Sequence, residues 1–574
     1  MNHKRLLYIL MVCSITGIAN SQDLGSIKSQ DPFKISGGLS LSSTFYGVNG
    51  IENRRSPFSY SIAASPVISL YGITFPFSFL YSNEQSSFSQ PFNQYGVSPY
   101  YKWLKFHFGY RNVNFSPYTL AGHTFLGVGV EANPGLLRFG AVYGRFKEAI
   151  EEDTISGIDT NLYQMPIPSY KRMGYAFKIG IGNDKNYFDI IYFKATDDTN
   201  SIPYKPVKYE LEPGENAVIG LSNKTTLLKS LTWKTDIGFS LYTRNTSLEE
   251  FEDPQLQAID LLKSVITPNV STQMLLAGET SLLFKQKTYS LQARYKRIDP
   301  DYQTMGAYYF QNDIEQYTFI PTFILFKNKV IFNGSIGYQK DNLYAKKALR
   351  TGRTIGSGNI VLNPSQKFGL TLQYSNYGFS QKSTGLIENY SDSLTIKQVS
   401  QNISVMPRFT FINEKSSQVL YFNVSYQEVR NKNVLNNMVQ DMTSVVSSVS
   451  YSYFSLTSSF SFTPSVFYNY NKVQTGVLRS LGLSMNFGKP FFENRLQNSL
   501  MFSYNTNSFD GSNNGNTVNI NATVQWAMTK NLKHHMNFSF SWIHNNTKNN
   551  ISSEFAETRS FSETIGTIGY NYSF

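Results

Sequence analysis

The chain has 574 residues, of which 15% are aromatic; it carries a formal net charge of +12 and contains one cysteine. A single cysteine excludes a disulfide framework and a cysteine-based metal site. The mean hydropathy is −0.28 although the chain contains 39 Tyr and 44 Phe, a combination that disfavours an ordinary soluble core and suits a sheet with aromatic belts and one polar face.

The first residues predict an export signal. Two basic residues, Lys4 and Arg5, precede an apolar run over 6–18, and a small-x-small cleavage site ends at Ser21. The run is too short to cross a bilayer core of about 30 Å. We therefore expect residues 1–21 to be a cleaved signal peptide, and an exported chain is not expected to meet nucleic acid.

Cleavage at this point would remove Cys13 and leave a mature chain without thiols. A short segment, 22–32, would then precede a single domain over 33–574. Such a short segment leaves no room for a plug domain, so none is expected.

Apolar and polar residues alternate from 33 onward over segments of about ten residues, the length that a tilted membrane strand needs. The clearest segment has Val518, Ile520, Ala522, Val524 and Trp526 on one face and Thr517, Asn519, Asn521, Thr523 and Gln525 on the other. A soluble sandwich would also alternate, but its strands average only about 5–6 residues. The pattern predicts one face against lipid and the other against water.

Short turns alternate with longer polar connections along the domain. The short turns lie at 133–135, 183–186, 327–329, 363–365, 413–415 and 488–490. The long connections lie at 146–171, 195–216, 243–270, 297–316, 339–353, 378–398, 428–441, 506–516 and 545–559. Because membrane barrels have short periplasmic turns and long outer loops, we predict an all-β transmembrane antiparallel up-and-down β-barrel of about 24 strands, with 22 to 26 tolerated. Residues 58–81 could form one strand or two.

One connection departs from the β pattern. After Asp253-Pro254, apolar residues recur at helical spacing within 243–270. They are Leu256, Ile259, Leu262, Val265 and Ile266. This predicts a short helix on the barrel mouth, with a lid or a partner-docking element as the alternative.

The last eight residues place a polar residue, a glycine and two aromatic residues at Thr567, Gly569, Tyr572 and Phe574. This pattern resembles the C-terminal assembly signal of bacterial outer-membrane proteins, and the density of Tyr, Asn and Ser resembles large outer-membrane barrels of Bacteroidota-type envelopes. The resemblance implies a location in the cell outer membrane, contact with its lipid and lipopolysaccharide, and the barrel-assembly machinery as partner during insertion. It assigns no activity.

The connection 297–316 is the candidate pore constriction. It carries Arg297, Asp299, Asp301, Asp313 and Glu315. We expect this loop to fold into the lumen and to pair with inward-facing basic residues, which would narrow the pore. Its carboxylates could also bind Ca²⁺, but their spacing is not that of a known calcium loop. No metal and no cofactor are therefore predicted.

A local basic cluster follows this loop. Its members are Lys340, Lys346, Lys347, Arg350 and Arg353. On an outer loop, these side chains could contact lipopolysaccharide phosphates or an anionic glycan. Ordinary surface charge is the alternative interpretation.

Nucleophilic catalysis needs a histidine positioned beside a serine. His123 follows Gly122 in a glycine-rich connection, with Ser116 nearby in sequence, but no motif links them. His107 also remains in the mature chain, and His534, His535 and His544 stand at a short turn or a strand end, places typical of interface or solvated side chains. We predict that the protein is not an enzyme.

A barrel of this size is wider than the roughly 16–18 strands that already leave an aqueous channel, so loops or a partner must fill the lumen. The first hypothesis is a loop-constricted channel for a bulky polar substrate, a peptide or a polysaccharide. The second is a non-conducting structural subunit of an outer-membrane assembly or secretion complex, which would bind other envelope proteins. A hydrolase embedded in the barrel is a distant alternative.

Overall fold

A computed structural model describes residues 31–83, 94–152, 167–204, 206, 209–251, 263–308, 311–384, 396–431, 441–547 and 559–574. No helix in these ranges is long and apolar enough to cross a membrane. The expected signal peptide lies outside the described residues, as do Leu256, Ile259 and Leu262 of the expected loop helix. Val265 and Ile266 pack against Ala217, Leu241 and Tyr192.

The described residues form 29 strand segments. In chain order they are β1 (Phe33–Ser36), β2 (Gly38–Asn49), β3 (Phe58–Ala64), β4 (Val67–Leu70), β5 (Ile73–Ser82), β6 (Gln94–Val97), β7 (Tyr100–Tyr101), β8 (Leu104–Asn112), β9 (Thr124–Ala132), β10 (Leu137–Lys147), β11 (Lys171–Gly182), β12 (Tyr187–Asp198), β13 (Glu215–Leu227), β14 (Leu231–Thr243), β15 (Thr272–Lys285), β16 (Tyr289–Ile298), β17 (Ile314–Leu325), β18 (Val330–Lys340), β19 (Leu349–Leu362), β20 (Phe368–Ser383), β21 (Ile396–Ile412), β22 (Ser416–Asn431), β23 (Met442–Ser455), β24 (Ser461–Val473), β25 (Gly476–Gly488), β26 (Leu496–Phe509), β27 (Ser512–Ala527), β28 (His534–Thr547) and β29 (Arg559–Ser573). A short 3-10 turn, Thr199–Ser201, follows β12.

These segments make a closed antiparallel barrel of 26 strands with up-and-down connectivity, which confirms the predicted fold. The number of segments is higher than the number of barrel strands because three breaks in strand structure divide otherwise continuous elements. These breaks separate β1 from β2 at Gly37, β3 from β4 at 65–66, and β6 from β7 at 98–99. The region 58–81 contains two barrel strands, since β5 pairs with both β3 and β4.

The barrel closes between its first and last long strands. β2 pairs with β29 from Gly38↔Ser573 to Asn49↔Ser562, and the hydroxyls of Thr44 and Thr567 lie 3.5 Å apart across this seam. Closure leaves no unpaired sheet edge, which is the condition for a β-structure to cross a bilayer. The predicted assembly-signal residues Thr567, Gly569 and Tyr572 lie on the closing strand.

Alternate residues of each strand face opposite sides of the wall, as the strand geometry requires. On β11, Phe177 and Ile179 are exposed large apolar side chains, whereas Ala176 and Lys178, which alternate with them, are buried. Exposed Phe, Tyr, Ile, Leu and Val continue around the barrel from β2 to β29. The outward face is therefore apolar, and the inward face carries the polar and packed residues.

The predicted short turns connect strands, but 506–516 is not a long loop. β26 continues to Phe509 and β27 begins at Ser512. The connecting Asp510 and Gly511 have φ values of 47° and 84°, the left-handed geometry of a two-residue hairpin turn. The prediction was wrong because a strand that turns Asn and Ser toward the lumen has the composition of a loop. A second two-residue turn, 474–475, joins β24 to β25 on the same side of the barrel.

Candidate functional site

The largest cluster of buried apolar residues lies inside the barrel, against β9 to β13. It contains Val113, Phe115, Leu120, Phe125, Val142, Phe146, Ala176, Ile191, Phe193, Ala195, Val218 and Met305. Three of these residues belong to the 113–123 connection and Met305 belongs to the 299–313 connection. Both connections therefore fold into the lumen; we call 113–123 together with the described part of 299–313 the inner loop pair.

The two loops of the pair hold each other by hydrogen bonds. The Tyr302 hydroxyl donates to the Tyr118 carbonyl at 2.5 Å, and the Thr304 hydroxyl donates to the Thr119 carbonyl at 2.7 Å. The Ala121 amide also donates to the Gly306 carbonyl at 3.1 Å. Because Tyr302 is only 1% exposed, its bond to Tyr118 is shielded from competing water.

The inner loop pair is also fixed to the wall. The Met305 amide donates to Asn216 Oδ1 at 2.9 Å, and the Ser240 hydroxyl donates to the Gln303 carbonyl at 2.7 Å. The wall beneath the loops has glycines where they come closest: a Cβ at Gly220 would lie 2.3 Å from Thr119 Cγ2, and a Cβ at Gly238 would lie 2.5 Å from Tyr302 Oη. Only residues without a side chain permit this close approach.

His123 closes the packing at the end of the first loop. Its ring stacks on Tyr308, with centroids 4.2 Å apart and an interplanar angle of 16°, and its Nδ1 donates to the Thr124 carbonyl at 2.9 Å. Burial, with a smaller contribution from the nearby Arg172, lowers the pKa of His123 to about 4 despite the opposing effect of the Thr124 bond. The packed imidazole is therefore neutral at ordinary pH.

Acid should loosen the inner loop pair through His123. An exposed imidazole has a pKa near 6.5, so between about pH 6.5 and 4 a displaced loop binds a proton that the packed loop excludes. We expect the conductance of the reconstituted barrel to rise as pH falls through this window, with a free-energy change of about 3 kcal/mol. His123→Phe keeps an aromatic ring against Tyr308 and should lose this response. An equal acid response in wild type and His123→Phe would contradict the assignment.

The charged residues of the candidate constriction lie at the two ends of the second loop, not on its inner part. Asp299 Oδ2 accepts from the Leu276 amide at 3.0 Å, and Arg297 Nε lies 3.3 Å from Asp299 Oδ1. At the other end, Asp313 pairs with Lys347 at 2.5 Å, a hydrogen bond that raises the pKa of Lys347. Asp301 is exposed.

Glu315 and Arg297 point outward, which differs from the expected inward pairing. They are paired residues in the register of β16 and β17. Glu315 lies two residues before the exposed Tyr317 and therefore on the same, outward face of β17. Glu315 pairs with Lys340 at 2.5 Å and accepts from the hydroxyls of Tyr295 and Tyr317 at 2.9 and 3.0 Å. The part of this loop inside the barrel is neutral, because it consists of Tyr302, Gln303, Thr304, Met305 and Gly306.

The basic cluster does not form one free patch. Lys340 and Lys347 are paired with carboxylates, as described above. Arg350 donates to the Asn342 carbonyl at 3.4 Å, and the Arg353 guanidinium lies 6.0 Å from the Phe379 ring centroid. Lys346 is exposed. A contact between this cluster and lipopolysaccharide or an anionic glycan stays a prediction. Within the cluster, Lys346 is the residue best placed for such a contact.

The inner wall opposite the inner loop pair, formed by β21 to β29, is neutral; we call it the neutral wall. Its inward side chains are mostly Ser, Asn, Thr and Gln. Among the described side chains of these strands, the alternation turns two charged residues inward, Arg408 and Glu563, and Glu563 pairs with Arg54 at 3.6 Å. Sequence alternation already assigned Asn519 and Asn521 to this face.

Neighbouring strands of the neutral wall are linked by side-chain hydrogen bonds. These are Ser444 to Asn471 at 2.6 Å, Ser480 to Asn507 at 2.6 Å, Ser499 to Asn486 at 2.8 Å, Asn519 to Ser503 at 3.0 Å and Thr517 to Asn545 at 2.8 Å. The inner face of β8 to β16 contrasts with it, because ion pairs such as Arg138 with Asp189 and Arg172 with Asp197 lie there. The lumen therefore has a packed, charged half and a neutral, polar half.

A closed barrel with an apolar outer face and a polar interior satisfies every strand's backbone groups within a bilayer. The structure is that of a membrane-spanning β-barrel. No protein-family model matches it, and no curated protein matches it.

Several solved structures are similar to it. OccAB2 from Acinetobacter baumannii has 9% sequence identity and a TM-score of 0.30, over 63% of this chain and 92% of that protein. The outer-membrane protein opdK from Pseudomonas aeruginosa has 9% identity and a TM-score of 0.31, over 63% and 94%. The FrpB iron transporter from Neisseria meningitidis has 10% identity and a TM-score of 0.38, over 94% and 82%.

Proposed function

We propose that the barrel is an outer-membrane channel, narrowed by the inner loop pair, that admits a bulky neutral polar substrate, with a saccharide favoured over a peptide. The neutral wall of β21 to β29 is the observation that carries this proposal. It presents hydroxyl and amide groups to the lumen, with almost no charge.

Width supports passage rather than a sealed interior. Barrels of about 16–18 strands already enclose an aqueous channel, and this barrel has 26. The contacts of the inner loop pair described above are with one half of the wall, through Asn216, Ser240 and the glycines of β13 and β14. In the ranges that the structure describes, the loops narrow the lumen from that side and leave the neutral wall available to a permeating molecule.

The chemistry of the neutral wall favours a saccharide. Hydroxyl and amide groups both donate and accept hydrogen bonds, so they can replace the water that a sugar hydroxyl loses on entering the lumen. A charged peptide would lose hydration without meeting opposite charges, which is costly. The hydrogen bonds between neighbouring strands also hold the wall side chains in fixed orientations.

The test is solute flux and ion selectivity of the purified barrel in liposomes and planar bilayers. Wild type should pass neutral oligosaccharides faster than charged peptides of equal size and should select weakly between ions. Thr523→Lys, at an exposed inward position of β27, should shift selectivity toward anions and leave neutral flux nearly unchanged. Thr523→Gln is the matched neutral control.

Two outcomes would contradict the proposal. Faster flux of charged peptides than of saccharides would remove the saccharide assignment. A folded barrel that is electrically silent and copurifies with another envelope protein in fixed stoichiometry would favour the structural-subunit hypothesis.

A further inference from the structure

A serine, a histidine and a glutamate form a continuous hydrogen-bonded chain on the inner wall, outside the inner loop pair. Ser98 Oγ lies 3.0 Å from His107 Nδ1, and His107 Nε2 lies 2.9 Å from Glu131 Oε1. The three residues come from three adjacent barrel strands: Ser98 from the break between β6 and β7, His107 from β8 and Glu131 from β9.

The local backbone explains why these side chains meet. Pro99 has no amide hydrogen, and the ladder between Val97↔Phe108 and Tyr100↔Lys105 is interrupted where Ser98 lies. The Ser98 amide donates instead to the Pro76 carbonyl at 3.1 Å. On the other side of the histidine, a Cβ at Gly129 would lie 3.4 Å from His107 Cβ, so a glycine there leaves space for the imidazole.

The partners define the direction of each hydrogen bond. An ionised carboxylate only accepts, so the Glu131 bond places the imidazole proton on Nε2. His107 Nδ1 is then an acceptor, and the Ser98 hydroxyl donates to it. Lys105 Nζ, 3.6 Å from Glu131 Oε1, favours the ionised carboxylate. This is the arrangement of a nucleophile, a general base and an orienting carboxylate.

An arginine lies on the same inner face, one strand position away from this hydrogen-bonded chain. Arg111 Nη1 donates to Ser78 Oγ at 2.6 Å, whereas its Nε and Nη2 are buried without a partner in the described structure. Its guanidinium carbon lies 2.8 Å from the position of a Cβ on Gly96, two residues before Ser98 and so about 7 Å along the strand.

We propose that Ser98, His107 and Glu131 form a hydrolytic site for carboxylic esters, such as acyl groups on the polar molecule that enters the barrel. Ser98 Oγ would attack the ester carbonyl carbon while His107 Nδ1 takes the hydroxyl proton. The carbon–oxygen bond to the alcohol then breaks, and His107 returns that proton to the leaving alcohol. Water releases the acyl group from Ser98 by the same two proton transfers, so the products are one alcohol and one carboxylic acid.

The hydrolytic site goes beyond the proposed channel; its substrate is taken from the proposed function, whereas the hydrogen-bonded chain itself can be tested without transport. It departs from the sequence-based expectation of a protein without enzymatic activity. The sequence singled out His123 and Ser116 as the candidate pair, but His123 Nδ1 is engaged by a carbonyl and its ring is stacked on Tyr308. His107 is the histidine whose two ring nitrogens meet a serine and a carboxylate.

The experiment treats the folded full-length barrel in detergent with a fluorophosphonate probe and locates the adduct by peptide mass spectrometry. We expect one adduct, on Ser98, with a new bond between Oγ and phosphorus and loss of fluoride. Ser98→Ala should abolish labelling, and His107→Gln should slow it by at least about 100-fold. Ser281→Ala, which removes an inward serine of β15 that has no histidine partner in the described part of the chain, is the matched control and should label like wild type.

Each result decides the proposal. No adduct on a barrel whose folding is verified by heat-modifiable gel mobility, or an adduct on another residue, would overturn it. Equal labelling of wild type and His107→Gln would show that His107 does not activate Ser98, which would leave the hydrogen-bonded chain a structural role alone. Conductance of Ser98→Ala should equal that of wild type, so failure of the ester site is distinguishable from failure of the channel.

Discussion

Gly238→Val is expected to raise the single-channel conductance of the purified barrel at least about twofold. A barrel this wide is narrowed mainly by its inner loops, and the valine side chain would displace those loops. A Cβ at this position would lie 2.5 Å from Tyr302 Oη and 2.7 Å from the Tyr118 carbonyl oxygen. The two added methyl groups need further space, and such overpacking costs about 1–3 kcal/mol. Moving the inner loop pair off the wall relieves that cost.

The matched control for this variant is Gly356→Val, since a Cβ at Gly356 meets nothing within 4 Å. Its conductance should equal that of wild type. Tyr302→Phe, which removes the hydroxyl that donates to Tyr118, should have a smaller effect in the same direction as Gly238→Val. Unchanged conductance of a folded Gly238→Val barrel would show that the inner loop pair is not the constriction.

Arg138→Leu should lower the free energy of unfolding by about 3–5 kcal/mol, because it leaves a buried carboxylate without its partner. Arg138 Nε and Nη2 donate to the two oxygens of Asp189 at 2.8 and 3.1 Å, and the Asp189 side chain is only 2% exposed. The guanidinium also lies 4.4 Å from the Tyr187 ring centroid. Urea unfolding in detergent, followed by tryptophan fluorescence, measures the change.

Two further variants test whether the loss of stability comes from breaking the buried Arg138–Asp189 ion pair. Arg430→Leu removes an exposed guanidinium that pairs with Glu428 at 2.7 Å, and we expect no measurable change because exposed pairs contribute little. The double variant Arg138→Leu with Asp189→Leu should recover much of the loss, since it buries no unpaired charge. A single Arg138→Leu barrel as stable as wild type would refute the assignment of a buried, desolvated pair.

Alternation in sequence was enough to predict the barrel, because one side of every strand meets lipid and the other meets the lumen. Val518 and Asn519 could be assigned to opposite faces without a structure. The same signal failed where a strand is polar on the inside and weakly apolar on the outside, as near Asp510. The interruptions at Gly37 and Pro99 also have no periodic signature, since each breaks the ladder for only one or two residues.

The site was less predictable than the barrel. Charge drew attention to Asp299 and Asp313, which lie at the ends of their loop, whereas the residues that pack inside, such as Tyr302 and Met305, are neutral. Tertiary contacts decide whether a loop residue faces the lumen or the solvent outside. The sequence of the partner loop 113–123 contained no signal that linked it to 299–313. Strand register was equally necessary to bring His107 to Glu131, since residues 24 positions apart become neighbours only through β8–β9 pairing.

The two-residue turns at 474–475 and 510–511 give the mouth an uneven rim. They join β24 to β25 and β26 to β27 on the side where most other connections are long, and long connections of membrane barrels point to the cell exterior. Above the neutral wall, the described rim therefore has two turns that add almost nothing beyond the strand ends. A molecule that approaches over these two turns would reach the neutral wall without passing the inner loop pair, which packs against the other half of the barrel. An epitope inserted at 510–511 would stand beside that path and could be used to block it from the cell surface.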